Sequence, residues 1–196
     1  MTKPLTGLMP ACPTSLTADG DADTASMKAV VRHMLDNGAS GLVPLGGTGE
    51  YTSLSPDVRI ATVEACVEAA DDAPVYAGVL APGLGDALPA ARAFEKAGAD
   101  GLMLMIPYYA KLTQSGVVDY FHAVRDAVDL PIMFYDNPAR SHFVVEADTI
   151  AALAEDGTIN SIKASNTDMA AFDRLVRFPV LLAPLQVRAY VRREKQ

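Results

Sequence analysis

Lys163 is the residue of this sequence best suited to covalent chemistry. It ends an apolar run over residues 159–163. That run is too short for a helix and too continuous for a half-exposed strand, so it is predicted to be a buried parallel strand. Burial disfavours the ammonium form, and the neutral amine attacks a carbonyl carbon. The alternative is a strand-end lysine whose side chain extends to solvent.

A tyrosine and an arginine follow another apolar run, residues 131–135. Tyr135 ends that run, and Arg140 comes shortly after it. A tyrosine relays protons, and an arginine binds a carboxylate through paired hydrogen bonds. Together with Lys163, these residue types suit a 2-keto acid held as an imine. For Arg140, an ion pair with Asp136 is the alternative to ligand binding.

Two more clusters follow apolar runs. The turn at residues 46–50, Gly-Gly-Thr-Gly-Glu, contains Gly47 and Thr48, and Tyr109 ends the sequence Pro-Tyr-Tyr. In a parallel α/β fold, ligands bind where the strands end, so these side chains are expected to share one mouth. A tyrosine at this place equally suits an apolar cover or a subunit interface.

The elements that must position these residues form a repeating pattern. Short apolar runs are predicted to be strands at residues 8–13, 41–45, 74–80, 101–106, 131–135, 159–163 and 179–183. The stretches between them have helical spacing, and helices are predicted at residues 24–37, 86–97, 117–127, 146–155 and 167–177, with another beginning at Ser55-Pro56. This alternation predicts an all-parallel α/β fold.

The sheet of such a fold is either open and doubly wound or closed as a (β/α)₈ barrel. From the second run onward, the strands start at intervals of 33, 27, 30, 28 and 20 residues. That near-constant repeat favours a TIM-type barrel. Six βα units and a seventh strand are present, so an incomplete barrel is expected over residues 1–184. Residues 185–196 carry four basic residues and one acidic residue and are predicted to be a basic tail.

The strand-end motifs resemble those of the dihydrodipicolinate synthase and N-acetylneuraminate lyase superfamily. The matching sequences are Gly-Gly-Thr-Gly-Glu, Pro-Tyr-Tyr, Tyr-Asp-Asn-Pro-Ala-Arg and Ile-Lys, and they occur in the superfamily's order over residues 5–178. The combination of order and spacing makes the resemblance specific. It implies a TIM barrel and a class I aldolase or lyase that uses a lysine imine and no cofactor.

The resemblance implies catalytic roles for three residues. Lys163 matches the Schiff-base lysine. Tyr135 matches the tyrosine that moves protons to and from the imine and the substrate. Tyr109 matches an aromatic residue that, in the synthases, reaches across a dimer interface into the neighbour's proton relay. A homo-oligomer, dimer or tetramer, is therefore expected.

Binding roles are implied for three others. Thr48, with Gly47 and the turn amides, matches the part that holds the keto-acid carboxylate, and Arg140 matches an arginine that binds a second substrate's carboxylate. The synthases usually carry Thr or Ser where this chain has Gly47, and that hydroxyl links their relay tyrosines. The Gly-Gly-Thr-Gly-Glu spelling is closer to the 5-dehydro-4-deoxyglucarate dehydratases.

Three functions follow as expectations. The first is a Schiff-base lyase or aldolase that acts on pyruvate or a related 2-keto acid, with dihydrodipicolinate synthase-like formation or cleavage of a carbon–carbon bond. The second is a sugar-acid dehydratase that uses the same imine. The third belongs to another class: a shortened, non-catalytic remnant or an assembly partner, because an open barrel exposes strand edges.

Composition excludes several other functions. The formal net charge is −8, which argues against nucleic acid or an anionic membrane as the main partner. No apolar run reaches the roughly 18 residues of a membrane span, and no signal peptide is predicted. Cys12 and Cys66 make no disulfide framework, so a cytoplasmic location is expected. No residues have metal-ligand spacing, so no metal is predicted.

Overall fold

A parallel sheet forms the centre of the molecule. The computed structural model describes residues 5–166, 168–176 and 186–187. Within that part of the chain the strands are β1 (Tyr76–Val79), β2 (Gly101–Met105), β3 (Ile132–Asp136), β4 (Ser161–Ala164) and β5 (Gln186–Val187). They lie side by side in chain order, and every neighbouring pair is parallel. β1, β2 and β3 are buried along their whole length, as the continuous apolar runs predict.

Two earlier segments extend the sheet by single bridges instead of regular strands. The predicted strands at residues 8–13 and 41–45 contribute isolated parallel bridges, among them Leu42 with Val75. The carbonyl of Pro44 accepts a hydrogen bond from β1 at 2.9 Å. Its ring nitrogen has no proton to donate in return, so the ladder cannot continue past it. The order of these segments in the sheet still follows the chain.

Helices connect the strands. Their bounds are α1 (Thr24–Asp36), α2 (Pro56–Ala69), α3 (Leu84–Lys96), α4 (Gln114–Arg125), α5 (Pro138–Ser141), α6 (Ala147–Glu155) and α7 (Met169–Val176), with a 3₁₀ turn at Tyr51–Ser53. The predicted start of α2 is confirmed: the Ser55 hydroxyl accepts a hydrogen bond from the Val58 N–H at 3.3 Å, and Pro56 is the first helical residue, where its missing N–H costs nothing. The short helix α5 and the 3₁₀ turn were not predicted.

The sheet is curled, because side chains meet across strands that are not neighbours. The side-chain amide of Asn160, just before β4, donates to the hydroxyl of Tyr76 on β1 at 3.3 Å. Lys163 Nζ on β4 lies 3.5 Å from Met103 Sδ on β2. Such contacts require the sheet to bend back toward itself, as the strands of a barrel do.

We call the carboxyl ends of the strands, with the turn at residues 46–50, the mouth, and the amino ends the base. The base is tightly packed: the Tyr76 side chain is completely buried, and a side chain at Gly101 would overlap its ring. No helix among the described residues is long and apolar enough to cross a membrane.

The end of the predicted barrel lies largely outside the described residues. The predicted strand at residues 179–183 and most of the predicted tail at residues 185–196 fall there. β5 occupies residues 186–187, inside the segment predicted to be a tail. The boundary at residue 184 stays a prediction.

Candidate active site

Lys163 lies at the mouth, on the third residue of β4. Its side chain is half-buried, unlike the completely or nearly buried residues on either side of it. Nζ lies 3.5 Å from the thioether sulfur of Met103 and 4.2 Å from the centre of the Tyr135 ring. Both are soft, weak partners for an amine. The predicted strand position of Lys163 is confirmed, and its amine lies beside Met103 and Tyr135 at the mouth.

Tyr135 stands next to Lys163 because the two residues are register partners on β3 and β4. The tyrosine side chain is 7% exposed. Its phenolic oxygen accepts a hydrogen bond from the side-chain amide of Asn137 at 2.8 Å. The structure therefore brings together the lysine and the tyrosine that were predicted from the sequence, and it adds Asn137 as a third residue.

The turn at residues 46–50 passes over the lysine. A side chain at Gly46 would place its Cβ 3.3 Å from the terminal methyl of Met103 and 4.0 Å from Lys163 Nζ. Glycine at this position thus keeps the space above the amine clear. Gly47 and Thr48, the next two residues, are exposed. No described atom lies within 4 Å of the position that a Gly47 Cβ would take.

The backbone of this turn is held from two sides. Leu45 and Glu50 both adopt left-handed φ angles, 59° and 55°, which are unfavourable for residues with side chains. On one side the Thr14 hydroxyl donates to the Gly49 carbonyl at 2.7 Å. On the other side β1 approaches so closely that any side chain at Gly78 would overlap the Leu45 carbonyl. The surrounding packing therefore imposes the conformation of the turn.

A buried arginine fixes the segment after the turn, and no pattern in the sequence indicates it. Arg59 Nε donates to the Tyr51 carbonyl at 3.0 Å, and Arg59 Nη1 contacts both carboxylate oxygens of Asp86 at 3.1 and 3.3 Å. The Tyr51 hydroxyl donates to the same carboxylate at 2.9 Å. Burial raises the pKa of this tyrosine. Apolar spacing along α2 gave no signal for an inward-facing arginine.

Arg140 and Asp136 do not pair. Asp136 is 5% exposed and accepts a hydrogen bond from the Asn166 amide at 3.3 Å. Burial raises the pKa of the Asp136 carboxyl, and the bond from Asn166 opposes that effect. Arg140 lies on α5 and is exposed; within the described part of the chain it forms no ion pair.

Tyr109 projects into solvent beyond β2. Its side chain is 90% exposed, whereas the preceding Tyr108 packs against the hydrophobic core. The structure does not bring Tyr109 to Lys163 within one chain. Among the described residues, no group of three or more His, Cys, Asp or Glu side chains is placed to hold a metal ion.

These features define the class of protein as a parallel (β/α) barrel with an amine in its mouth. The chain belongs to the dihydrodipicolinate synthetase family, whose model matches residues 4–179. It is 39% identical over 170 residues to the 4-hydroxy-tetrahydrodipicolinate synthase of Haloarcula marismortui, which aligns 87% of this chain with 56% of that protein. The predicted resemblance is confirmed.

Solved structures agree with the sequence comparison. YagE, a prophage protein of the dihydrodipicolinic acid synthase family from E. coli K12 solved in complex with pyruvate, gives a TM-score of 0.82 at 28% identity, covering 88% of this chain and 59% of that one. A monomeric dihydrodipicolinate synthase variant gives 0.80 at 31% identity, covering 86% and 57%. The barrel fold is therefore confirmed, and the chain spans little more than half the length of these relatives.

Proposed function

We propose that this protein is a Schiff-base lyase or aldolase acting on pyruvate or a related 2-keto acid. The position of Lys163 Nζ in the mouth carries the proposal. The amine lies 4.2 Å from the centre of the Tyr135 ring, and the residue above it is Gly46, which has no side chain to block the space. Membership of the dihydrodipicolinate synthetase family supports it. So does the pyruvate bound by a structural relative.

The chemistry begins with attack of the neutral Lys163 amine on the C2 carbonyl carbon. The carbinolamine that forms loses water and leaves an iminium, which withdraws electrons from C3. Loss of a C3 proton gives an enamine that adds to an electrophilic carbonyl, and the reverse sequence cleaves the same carbon–carbon bond. Tyr135 supplies and removes the protons. Because the imine itself is the electrophile, the reaction requires no cofactor.

The remaining predicted residues act in binding. Thr48, Gly47 and the turn amides hold the keto-acid carboxylate; both residues are exposed, and the preceding Gly46 lies above the amine. Arg140 is exposed and without an ionic partner in the described residues, which suits a second carboxylate. The 90% exposure of Tyr109 fits a tyrosine that completes the proton relay of a neighbouring subunit in a homo-oligomer.

A sugar-acid dehydratase that uses the same imine is the second candidate. The observation that favours it is the open space at Gly47, where no described atom lies within 4 Å of a Cβ position. That space would accommodate a longer substrate chain than pyruvate.

Two buried free thiols, Cys12 and Cys66, suit the reducing cytoplasm as the location of either activity.

Borohydride trapping tests the proposal. The folded protein is incubated with pyruvate and sodium borohydride, and the product is analysed by intact mass and peptide mapping. We expect one reduced adduct on Lys163 and none in Lys163→Ala. An adduct on Lys111, or one that persists in Lys163→Ala, would show that the lysine is wrongly assigned. A folded wild-type protein that forms no adduct with pyruvate or with sugar-derived keto acids would favour the non-catalytic remnant.

A further inference from the structure

Asn137 makes a contact that its local position does not explain. It precedes the short helix α5, and asparagine at such a position ordinarily caps the first N–H groups with its side chain. Here its side chain makes no cap hydrogen bond. The backbone carbonyl of Asn137 accepts from the Arg140 and Ser141 N–H groups instead, both at 3.0 Å. The amide is thus left for another use, and it donates to the Tyr135 phenol at 2.8 Å.

The direction of this hydrogen bond determines where the phenolic proton points. The oxygen of Tyr135 accepts the Asn137 proton, so its own O–H is directed elsewhere. Asn137 is the phenol's hydrogen-bond partner within the described residues. No acceptor for the phenolic proton is found among the described residues, which leaves that proton for a molecule bound beside Lys163.

The same bond adds to the packing that holds the ring beside the lysine. Tyr135 is adjacent to Lys163 through the strand register, its side chain is 7% exposed, and its ring centre lies 4.2 Å from Nζ. Packing thus holds the ring, and the bond from Asn137 sets the direction of the phenolic O–H. Asn137 precedes Pro138, which disfavours the helical region for its backbone, and its φ of −145° and ψ of 75° lie outside that region.

We propose that Asn137 is a positioning residue that aims the Tyr135 phenol at the adduct on Lys163. It acts by donating a hydrogen bond that turns the phenolic proton toward the substrate oxygen leaving as water. The proposal rests on the proposed Schiff-base function. It predicts that Asn137 matters only while Tyr135 has a hydroxyl group.

A double-mutant cycle tests this dependence. The rate of borohydride-trapped imine formation with pyruvate is measured for wild type, Asn137→Leu, Tyr135→Phe and the double variant. We expect Asn137→Leu to slow the reaction up to about 10²-fold, the loss typical of a misplaced catalytic group. In the Tyr135→Phe background the same change should have no further effect, because no phenol remains to be positioned.

Two variants sharpen the result. Asn137→Asp keeps the shape but only accepts hydrogen bonds at neutral pH, so we expect it to be as slow as Asn137→Leu. Asn160→Leu removes the same kind of amide-to-tyrosine bond at the base, and we expect it to lower the melting temperature while the trapping rate per folded molecule stays unchanged. Thermal unfolding of every variant separates folding from chemistry.

The failures are distinguishable. No adduct in the folded wild-type protein would overturn the proposed function and the role of Asn137 with it. An adduct on Lys163 with equal rates in wild type and Asn137→Leu would overturn only the role of Asn137. Additive losses in the double variant would show that Asn137 does not act through the phenol, and full activity in Asn137→Asp would show that it does not act by donation.

Discussion

The two ends of the strands carry the same pair of residues in opposite surroundings. At the base, Asn160 donates to Tyr76 at 3.3 Å, and the tyrosine is completely buried. At the mouth, Asn137 donates to Tyr135 at 2.8 Å, and the ring lies beside the amine of Lys163. The first pair closes a packed interior, and the second lies at the edge of open space. The same kind of hydrogen bond thus belongs to the packed interior at one end and, on our proposal, prepares chemistry at the other.

The glycines show the same difference. A side chain at Gly101 would overlap the ring of Tyr76, whereas a Cβ at Gly47 would meet no described atom within 4 Å. Glycine at the base is required because two parts of the chain approach closely. Packing does not require a glycine at position 47. The missing side chain there instead leaves open space at the mouth.

The largest expected effect is on the rate of imine formation, and it is found by comparing two variants that each lose one tyrosine hydroxyl. Tyr135→Phe should slow imine formation by roughly 10²–10⁴-fold, the usual loss for general acid–base help, with little change in melting temperature. Tyr76→Phe should leave the rate unchanged and destabilise the protein by about 1 kcal/mol, the typical value of one hydrogen bond. Trapping kinetics and thermal unfolding measure the two quantities. If both changes slowed the reaction equally, the mouth and the base of the strands would not differ in function as we propose.

The glycine comparison predicts an intermediate effect. Gly101→Ala should destabilise the fold by about 1–3 kcal/mol because the new methyl group overpacks the buried ring of Tyr76. Gly47→Ala should change the free energy of unfolding by less than about 0.5 kcal/mol. Chemical denaturation of both variants measures the difference. A destabilised Gly47→Ala variant would mean that the mouth is more tightly packed than the structure shows.

The smallest expected effect concerns Asp136 and pH. Burial raises the pKa of its carboxyl, and the Asn166 amide opposes this. The folded protein therefore binds the Asp136 proton more tightly than the unfolded chain does, and stability falls as pH rises through the folded pKa. Asp136→Asn should remove this loss, so the variant gains melting temperature relative to wild type from acidic to neutral pH. Melting curves that stay parallel across that range would contradict the assignment.

Much of the scaffold follows from local sequence patterns. The hydroxyl of Ser55 followed by Pro56 predicts the start of α2, and the structure places it there. The short apolar runs that end at Tyr135 and Lys163 predict buried parallel strands, and neighbouring strand ends must then meet. Those two residues are accordingly found as register partners. Periodicity and the geometry of parallel sheets suffice for this part of the site.

The rest depends on contacts that local patterns do not encode. Asn137 has the sequence context of a helix cap, yet its side chain turns to the Tyr135 phenol. Arg59 lies on a helix whose apolar spacing gives no reason for a buried guanidinium. The apolar run at residues 41–45 predicts a strand, but Pro44 cannot donate to the ladder, so only single bridges form. In each case a partner distant in the sequence, or a missing donor, decides the outcome.

The left-handed Leu45 carries a consequence for the order in which the molecule assembles. A leucine pays about 1–2 kcal/mol to adopt this conformation, and it is fully buried against β1, where only a glycine at position 78 leaves room for its carbonyl. Before β1 is in place, no contact offsets the energy of the left-handed conformation, so the unfolded chain rarely adopts it. We therefore expect the loop above Lys163 to form late in folding, after the strand that supports it has docked. The turn that we propose to hold the keto-acid carboxylate would then be among the last parts of the molecule to form and the first to be lost on heating.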